Sequence, residues 1–181
     1  MPATPRIGGF RGEFLWEFEI VERQLIALAE AIPGEKYDWR PAPTARSVCE
    51  VLVHVAAGNF MLLDTIGEPP PIHLYGEVTA QGPERLWMLV GKNDELEKNL
   101  RDKTSVINAL RQSLEAVNRL FSASDEGALN RPQQFFGEET TVRRVYLRLL
   151  AHMHEHMGQM IAYTRCIGLK APWEDWRPDR R

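Results

Sequence analysis

Three histidines in one short segment are the strongest candidates for a functional site in this sequence. They are His152, His154 and His156, in the run Ala-His-Met-His-Glu-His-Met-Gly-Gln-Met. On a helix, at about 100° per residue, His152 and His156 lie about 40° apart, whereas His154 is turned by about 200° from His152. The first two therefore share one face, and His154 is predicted to point to solvent or to an interface.

The helix face that carries His152 and His156 is apolar. Within about 80° of His152 on the same helical wheel lie Val145, Leu149, Met160, Tyr163 and Ile167. Two neighbouring imidazoles in a core repel each other if charged and need hydrogen-bond partners if neutral. A shared divalent cation meets both conditions, because neutral imidazole is a good ligand for zinc, nickel or iron. The spacing alone leaves a second interpretation open, in which both are interior histidines without a metal.

A metal site needs a further ligand, and His54 is the natural third candidate. It lies in the middle of a predicted helix, beside the apolar positions Val51, Val55 and Leu62. Gly58, one turn later on nearly the same face, leaves space next to the imidazole. Glu50, one turn earlier, is a candidate to orient His54 or to act as a nearby carboxylate, and Gln159 is a similar candidate for the His152/His156 pair.

The other reactive residue types do not form a convincing site. On the helical wheel Cys49 points about 140° away from His54, and Cys166 lies almost three turns beyond His156. A cysteine–histidine nucleophile is therefore a weak alternative, and two cysteines make a disulfide framework unexpected. His73 lies in a proline-rich stretch and is predicted to be a surface residue.

Four long helices must position these side chains. Apolar periodicity predicts them at about residues 10–32, 47–66, 94 or 103 to 122, and 140–167. The second begins with a capping-box pattern at Ser47, and the last is closed by Gly168. A connection of about 25 residues follows residue 66, with a helical turn near residues 84–90, and no strand is predicted. Four long helices with one long crossover indicate an all-α, four-helix bundle.

Composition limits the classes of function. The chain has 181 residues, of which 44% are hydrophobic and 26% are charged, and its net charge is −3. This composition is typical of a globular protein. We predict one domain over residues 1–181, with residues 1–9 and 171–181 as tails. Without a concentrated basic surface, nucleic-acid binding is not expected. The sequence shows no signal peptide and no apolar stretch that could span a bilayer, so a cytoplasmic protein without a membrane partner is predicted.

Three stretches match a known family in order and spacing. They are residues 37–43 leading through Ser47 to residues 52–55, the amphipathic segment 103–120, and residues 152–159 followed by 163–165 and Gly168. With these features the chain resembles the DinB/YfiT-like family of metal-dependent enzymes. The resemblance implies a four-helix bundle with up-down-down-up topology. It also implies a site with three histidine ligands, which fall on His54, His152 and His156, and a homodimer.

The resemblance also suggests a reaction class, because related proteins include thiol-dependent transferases and isomerases. The leading hypothesis is a metal-dependent hydrolase or thiol transferase that acts on a small molecule, with a low-molecular-weight thiol as cosubstrate. Zinc or nickel is favoured as the ion, with iron and manganese as further candidates. Two alternatives stay open: a non-catalytic stress-response or small-ligand-binding module, and a structural bundle without metal.

Overall fold

The computed structural model describes residues 8–173 of the chain, and this part is mostly helical. Its elements are α1 (Gly9–Ala31), α2 (Val48–Asp64), α3 (Ile72–Tyr75), α4 (Gly82–Asn99), α5 (Lys103–Ala123), α6 (Glu126–Leu129), β1 (Pro132–Phe135), β2 (Glu138–Thr141) and α7 (Val142–Cys166). The four long helices predicted from apolar periodicity correspond to α1, α2, α5 and α7.

Helix α2 begins where the sequence predicts, at the Ser47 capping box. The Ser47 hydroxyl accepts from the Glu50 amide at 3.3 Å, and the Glu50 carboxylate accepts from the Ser47 amide at 2.8 Å. Both groups satisfy amides that the first turn of a helix leaves without partners. The cap thereby fixes where the first turn of α2 begins, on the helix that carries His54.

Helix α7 also ends as predicted. Gly168 has a φ of +82°, which an L residue with a side chain rarely adopts. The amide of Gly168 donates to the carbonyl of Arg165, and the amide of Leu169 donates to that of Thr164. These bonds satisfy carbonyls of the last turn and hold the end of the helix that carries His152 and His156.

The core lies between α1, α2, α5 and α7. Helix α2 packs against α5 and α7, and α1 packs against the same two helices. Three aromatic rings from three helices meet in this core. Phe14 of α1 stacks on Phe121 of α5 with ring centroids 3.8 Å apart, and both rings contact Tyr146 of α7 edge-on. Burial of this kind is the main source of stability in a helical protein.

Helix α4 corrects the prediction of a long connection with one helical turn. It is 18 residues long and packs against α2. Its buried residues are Leu89, Asn93 and Glu97, spaced by four on one face, and two of the three are polar. Apolar periodicity could not reveal this helix, because the side chains that it buries are mostly not apolar.

A two-stranded antiparallel hairpin corrects the prediction that no strand is present. Strands β1 and β2 pair Phe135 with Glu138 across a two-residue loop. Both loop residues, Phe136 and Gly137, have positive φ, at 51° and 86°, as the tight turns that suit hairpins require. The strands are too short and too polar to show alternating hydrophobicity.

Of the predicted tails, residues 1–7 and 174–181 lie outside the described residues. Gly9 is already part of α1, Ala171 is buried, and Trp173 packs against the main core. Among residues 8–173, no helix is both long and apolar enough to cross a membrane.

Candidate metal centre

Three histidines from two helices converge in the structure. His54 lies on α2, His152 and His156 lie one turn apart on α7, and these two helices pack together. The ring centroids are separated by 5.0 Å for His54–His152, 4.7 Å for His54–His156 and 4.6 Å for His152–His156. One nitrogen of each ring lies within 4.8 Å of the others. This arrangement could hold a metal ion, because one ion can contact all three nitrogens.

Gly58 provides the space that brings His152 close to α2. A Cβ atom at residue 58 would lie 2.5 Å from Cε1 of His152 and 3.0 Å from its Nδ1. The imidazole edge therefore packs against the helix backbone where any side chain would collide with it. The glycine is required here by close approach, since its backbone is ordinary helix.

His54 is oriented by a carboxylate from α4. Its Nδ1 lies 2.6 Å from Oε1 of Glu97, and Glu97 also accepts from Nε of Arg46 at 2.7 Å. Burial acts to raise the pKa of Glu97, but the hydrogen bonds from His54 and Arg46 outweigh it and lower that pKa. Glu97 is therefore a carboxylate at neutral pH, and it accepts the Nδ1 proton of His54.

His156 is oriented by Gln159, one turn further along α7. Its Nδ1 lies 2.9 Å from Oε1 of Gln159. The Gln159 amide donates to the hydroxyl of Tyr163 at 2.8 Å, and that hydroxyl donates to the backbone carbonyl of Arg46 at 3.0 Å. Gln159, which the sequence places near the His152/His156 pair, therefore contacts His156. It also links His156 to Tyr163 and Arg46 by hydrogen bonds.

The electrostatics favour the neutral form of His152 and His156, which is the form that binds metals. Burial and the neighbouring rings of His156 and His54 lower the pKa of His152 to about 3. Burial also lowers the pKa of His156. His152 is 8% exposed, whereas His54 and His156 are half-buried, so the cluster is partly exposed.

The metal-free protein is expected to lose stability as the pH falls from about 6.5 towards about 3. In the unfolded chain His152 takes up a proton near its ordinary pKa of 6.5, whereas in the folded protein its pKa is about 3. The unfolded state therefore binds more protons within this window, and protonation favours unfolding. Urea unfolding of chelator-treated protein at pH 7 and pH 5 measures the change.

His152→Asn is expected to reduce this pH dependence, whereas His73→Asn, at an exposed histidine, should leave it as in the wild type. Equal pH dependence in all three proteins would contradict the prediction.

Gly58→Ala is expected to destabilise the protein by about 1–3 kcal/mol, because overpacking forces His152 or the backbone to shift. In an open helix position the same change stabilises by up to about 1 kcal/mol. Gly91→Ala in α4 is the matched control, since a Cβ there would meet nothing within 4 Å. Denaturant unfolding of both variants gives the comparison, and a stabilised Gly58→Ala would contradict the close-packing argument.

Glu50 does not have the role for which its position suggested it. Its carboxylate is engaged by the Ser47 amide, by Arg40 at 3.0 Å and by Arg101 at 2.8 Å. The carboxylate that contacts His54 is instead Glu97, 43 residues further along the chain. Spacing on α2 could identify a carboxylate one turn away from His54, but it could not identify one supplied by another helix.

The remaining histidines and cysteines lie apart from the cluster. His154 faces Glu17 of α1, with 3.7 Å between Nε2 and Oε2, and His73 pairs with Gln112. Both cysteines are free thiols. Cys49 donates to the carbonyl of Leu100, and burial raises its pKa to about 11, so it is a poor nucleophile at neutral pH.

Comparison with solved structures supports this fold. A DinB-like protein from Bacillus cereus is 17% identical, with a TM-score of 0.62, covering 90% of this chain and 95% of its own. A conserved protein from Enterococcus faecalis is 13% identical, with a TM-score of 0.65, covering 88% and 97%. A DinB-like protein from Bacillus subtilis is 17% identical, with a TM-score of 0.53, covering 89% and 96%. At these identities the likeness concerns the fold alone.

The family follows from the sequence match. No curated protein matches the chain significantly. A family model described as the DinB superfamily matches residues 17–160, which include α2, α4, α5 and all three histidines of the cluster. This match confirms the family that the sequence resembles, and the chain belongs to the DinB superfamily.

Proposed function

We propose that His54, His152 and His156 bind one divalent metal ion and that this centre acts on a small molecule. The observation that carries the proposal is the convergence of three imidazole nitrogens from two helices within 4.8 Å of one another. Two of the rings have their Nδ1 atoms engaged by Glu97 and Gln159. Such partners orient metal-binding histidines and leave Nε2 available for the ion.

The surrounding residues fit a metal centre better than a cluster of charged histidines. The lowered pKa values of His152 and His156 favour neutral rings. All three ligands are nitrogen atoms, a set that suits zinc or nickel, with iron and manganese as further candidates. Three protein ligands leave room for a further ligand, as in catalytic rather than closed structural sites.

The proposed activity is that of a metal-dependent hydrolase or thiol S-transferase that uses a low-molecular-weight thiol. A bound divalent ion would supply Lewis-acid chemistry, lowering the pKa of a water or thiol or polarising a carbonyl. The chain's own contribution is to hold the imidazoles in place through Glu97 and Gln159. His152 is buried against Gly58, whereas His54 and His156 are partly exposed, so a small substrate could approach them. We further propose the up-down-down-up bundle topology and the homodimer.

A structural role without metal is the second candidate, and one distance favours it. Nε2 of His152 lies 3.1 Å from Nε2 of His54, so one ring can donate to the other without an ion. The two rings then form a partly buried hydrogen-bonded pair, in which Nδ1 of His152 has no partner among residues 8–173.

Elemental analysis of the full chain, purified without an affinity tag, tests the metal proposal. We expect about one divalent ion per chain, removable by chelator and restored by zinc or nickel. Absence of metal under all loading conditions would favour the structural role.

Turnover of electrophilic substrates with thiols, and of hydrolysable esters or amides, is then compared in the metal-loaded and the metal-free protein. Metal binding without turnover would favour a non-catalytic ligand-binding module.

A further inference from the structure

Two hydrogen-bond chains lead outward from His54 and His156, and both end on Arg46. In the first, Nδ1 of His54 contacts the Glu97 carboxylate, which also accepts from the Arg46 guanidinium. A carboxylate has no proton to donate, so Nδ1 of His54 must carry the hydrogen. In the neutral ring, Nε2 of His54 therefore carries the lone pair and can only accept.

The direction of the second chain is fixed from its far end. The backbone carbonyl of Arg46 can only accept, so the Tyr163 hydroxyl must donate to it. The Tyr163 oxygen then accepts, and the Gln159 atom that faces it must be the amide nitrogen. The Gln159 oxygen consequently faces His156, and Nδ1 of His156 must carry the hydrogen. Nε2 of His156 is left with the lone pair, as in His54.

The backbone of Arg46 lies beside buried residues. Arg46 precedes Ser47, which is fully buried and fixed by the capping box of α2. Tyr163 is 6% exposed and packs edge-on against Trp39, with ring centroids 5.5 Å apart. The second chain ends on the backbone carbonyl of Arg46, next to buried Ser47, whereas the first ends on the Arg46 side chain, which is 41% exposed.

We propose that Glu97 and Tyr163 are positioning residues of the metal centre, anchored together on Arg46. Glu97 acts on His54 directly, and Tyr163 acts on His156 through Gln159. Each holds the proton on Nδ1 and leaves the Nε2 lone pair of its histidine for the ion. The use of these lone pairs rests on the proposed function, whereas the proton positions do not require a metal.

His152 differs from His54 and His156 in which ring nitrogen carries the proton. Its Nε2 lies 3.1 Å from Nε2 of His54, which has no hydrogen to donate. In the metal-free protein His152 must therefore donate from Nε2, and its Nδ1, which has no hydrogen-bond partner, carries the lone pair. The three rings thus have two different proton positions.

Long-range proton–nitrogen NMR of the imidazoles, on metal-free protein near pH 7.5, tests the proton positions. We expect Nδ1–H in His54 and His156 and Nε2–H in His152. Glu97→Gln leaves one oxygen for two donors, Arg46 and His54, and is expected to shift His54 towards Nε2–H. Because Nε2 of His152 faces Nε2 of His54 at 3.1 Å, His152 should then shift towards Nδ1–H, while His156 stays unchanged. Tyr163→Phe frees the Gln159 amide to turn over and is expected to give His156 alone a mixture of both forms.

The chain offers two matched controls. Asp64→Asn alters another largely buried carboxylate, which is paired with Arg85, and Tyr75→Phe removes another buried hydroxyl, bonded to Asn93. Neither should change the proton positions of the three rings. Unchanged signals of His54 in Glu97→Gln and of His156 in Tyr163→Phe would overturn the proposal, as would equal changes in the controls.

Zinc affinity, measured by competition with a chromophoric chelator, supplies the second readout. We expect Glu97→Gln and Tyr163→Phe each to bind about 10–100-fold more weakly than the wild type, as loss of such partners does in other metal sites. Wild-type affinity in both variants would overturn the positioning role. If the wild type bound no zinc, the proposed function would fail, while NMR would still decide the proton positions.

Discussion

Replacing His152 with alanine is expected to abolish stoichiometric metal binding, whereas replacing His154, two residues along the same helix, is expected to leave it intact. His152 supplies one of three converging nitrogens, and two imidazoles alone bind an ion weakly. The affinity should fall by more than ~100-fold, beyond the loss caused by removing an outer hydrogen-bond partner. Metal content per chain, measured on untagged protein after dialysis, gives the result.

His154 is a closely matched control, because it is also a histidine of α7 but faces Glu17 of α1 instead. A second measurement separates lost binding from lost folding. Metal that binds only the folded state stabilises it by about 2.7 kcal/mol at 100 times its Kd. The wild type and His154→Ala should show this stabilisation and His152→Ala should not. Full metal content in His152→Ala would contradict the three-ligand site.

Replacing Phe14 with alanine is expected to destabilise the protein by about 3–5 kcal/mol, the usual cost of removing a buried phenylalanine ring. Phe14 is 1% exposed and lies at the meeting of α1, α5 and α7. Its loss leaves a cavity and removes the stacking contact with Phe121. Equilibrium denaturant unfolding of the metal-free protein measures the effect without a contribution from metal binding.

Trp87→Ala is the control for this prediction. Trp87 is a larger aromatic residue but is 72% exposed on α4, and surface substitutions usually change stability by less than about 0.5 kcal/mol. A similar loss in both variants would mean that the aromatic contacts between α1, α5 and α7 are not a main source of stability.

The features of the candidate metal centre that lie within a single helix could be predicted from the sequence. The wheel separated His152 and His156 from His154 because side-chain direction along a helix follows from its period alone. Ser47 marked the start of α2 because the capping box is formed within four residues. Gln159 was associated with the His152/His156 pair because it lies on the same helix, and the structure places it against His156.

How the helices meet could not be predicted from the pattern within any one of them. Glu97, which contacts His54, lies on α4, and apolar periodicity did not predict this helix because it buries polar residues. Glu50 contacts two arginines instead of His54. Arg46 and Tyr163, which are 117 residues apart, form a hydrogen bond. The periodicity of a helix reports which face is buried but not which side chain of another helix meets it. The pairing of His152 with His156 could therefore be predicted from local spacing, whereas the approach of His54 and Glu97 depends on packing between distant segments.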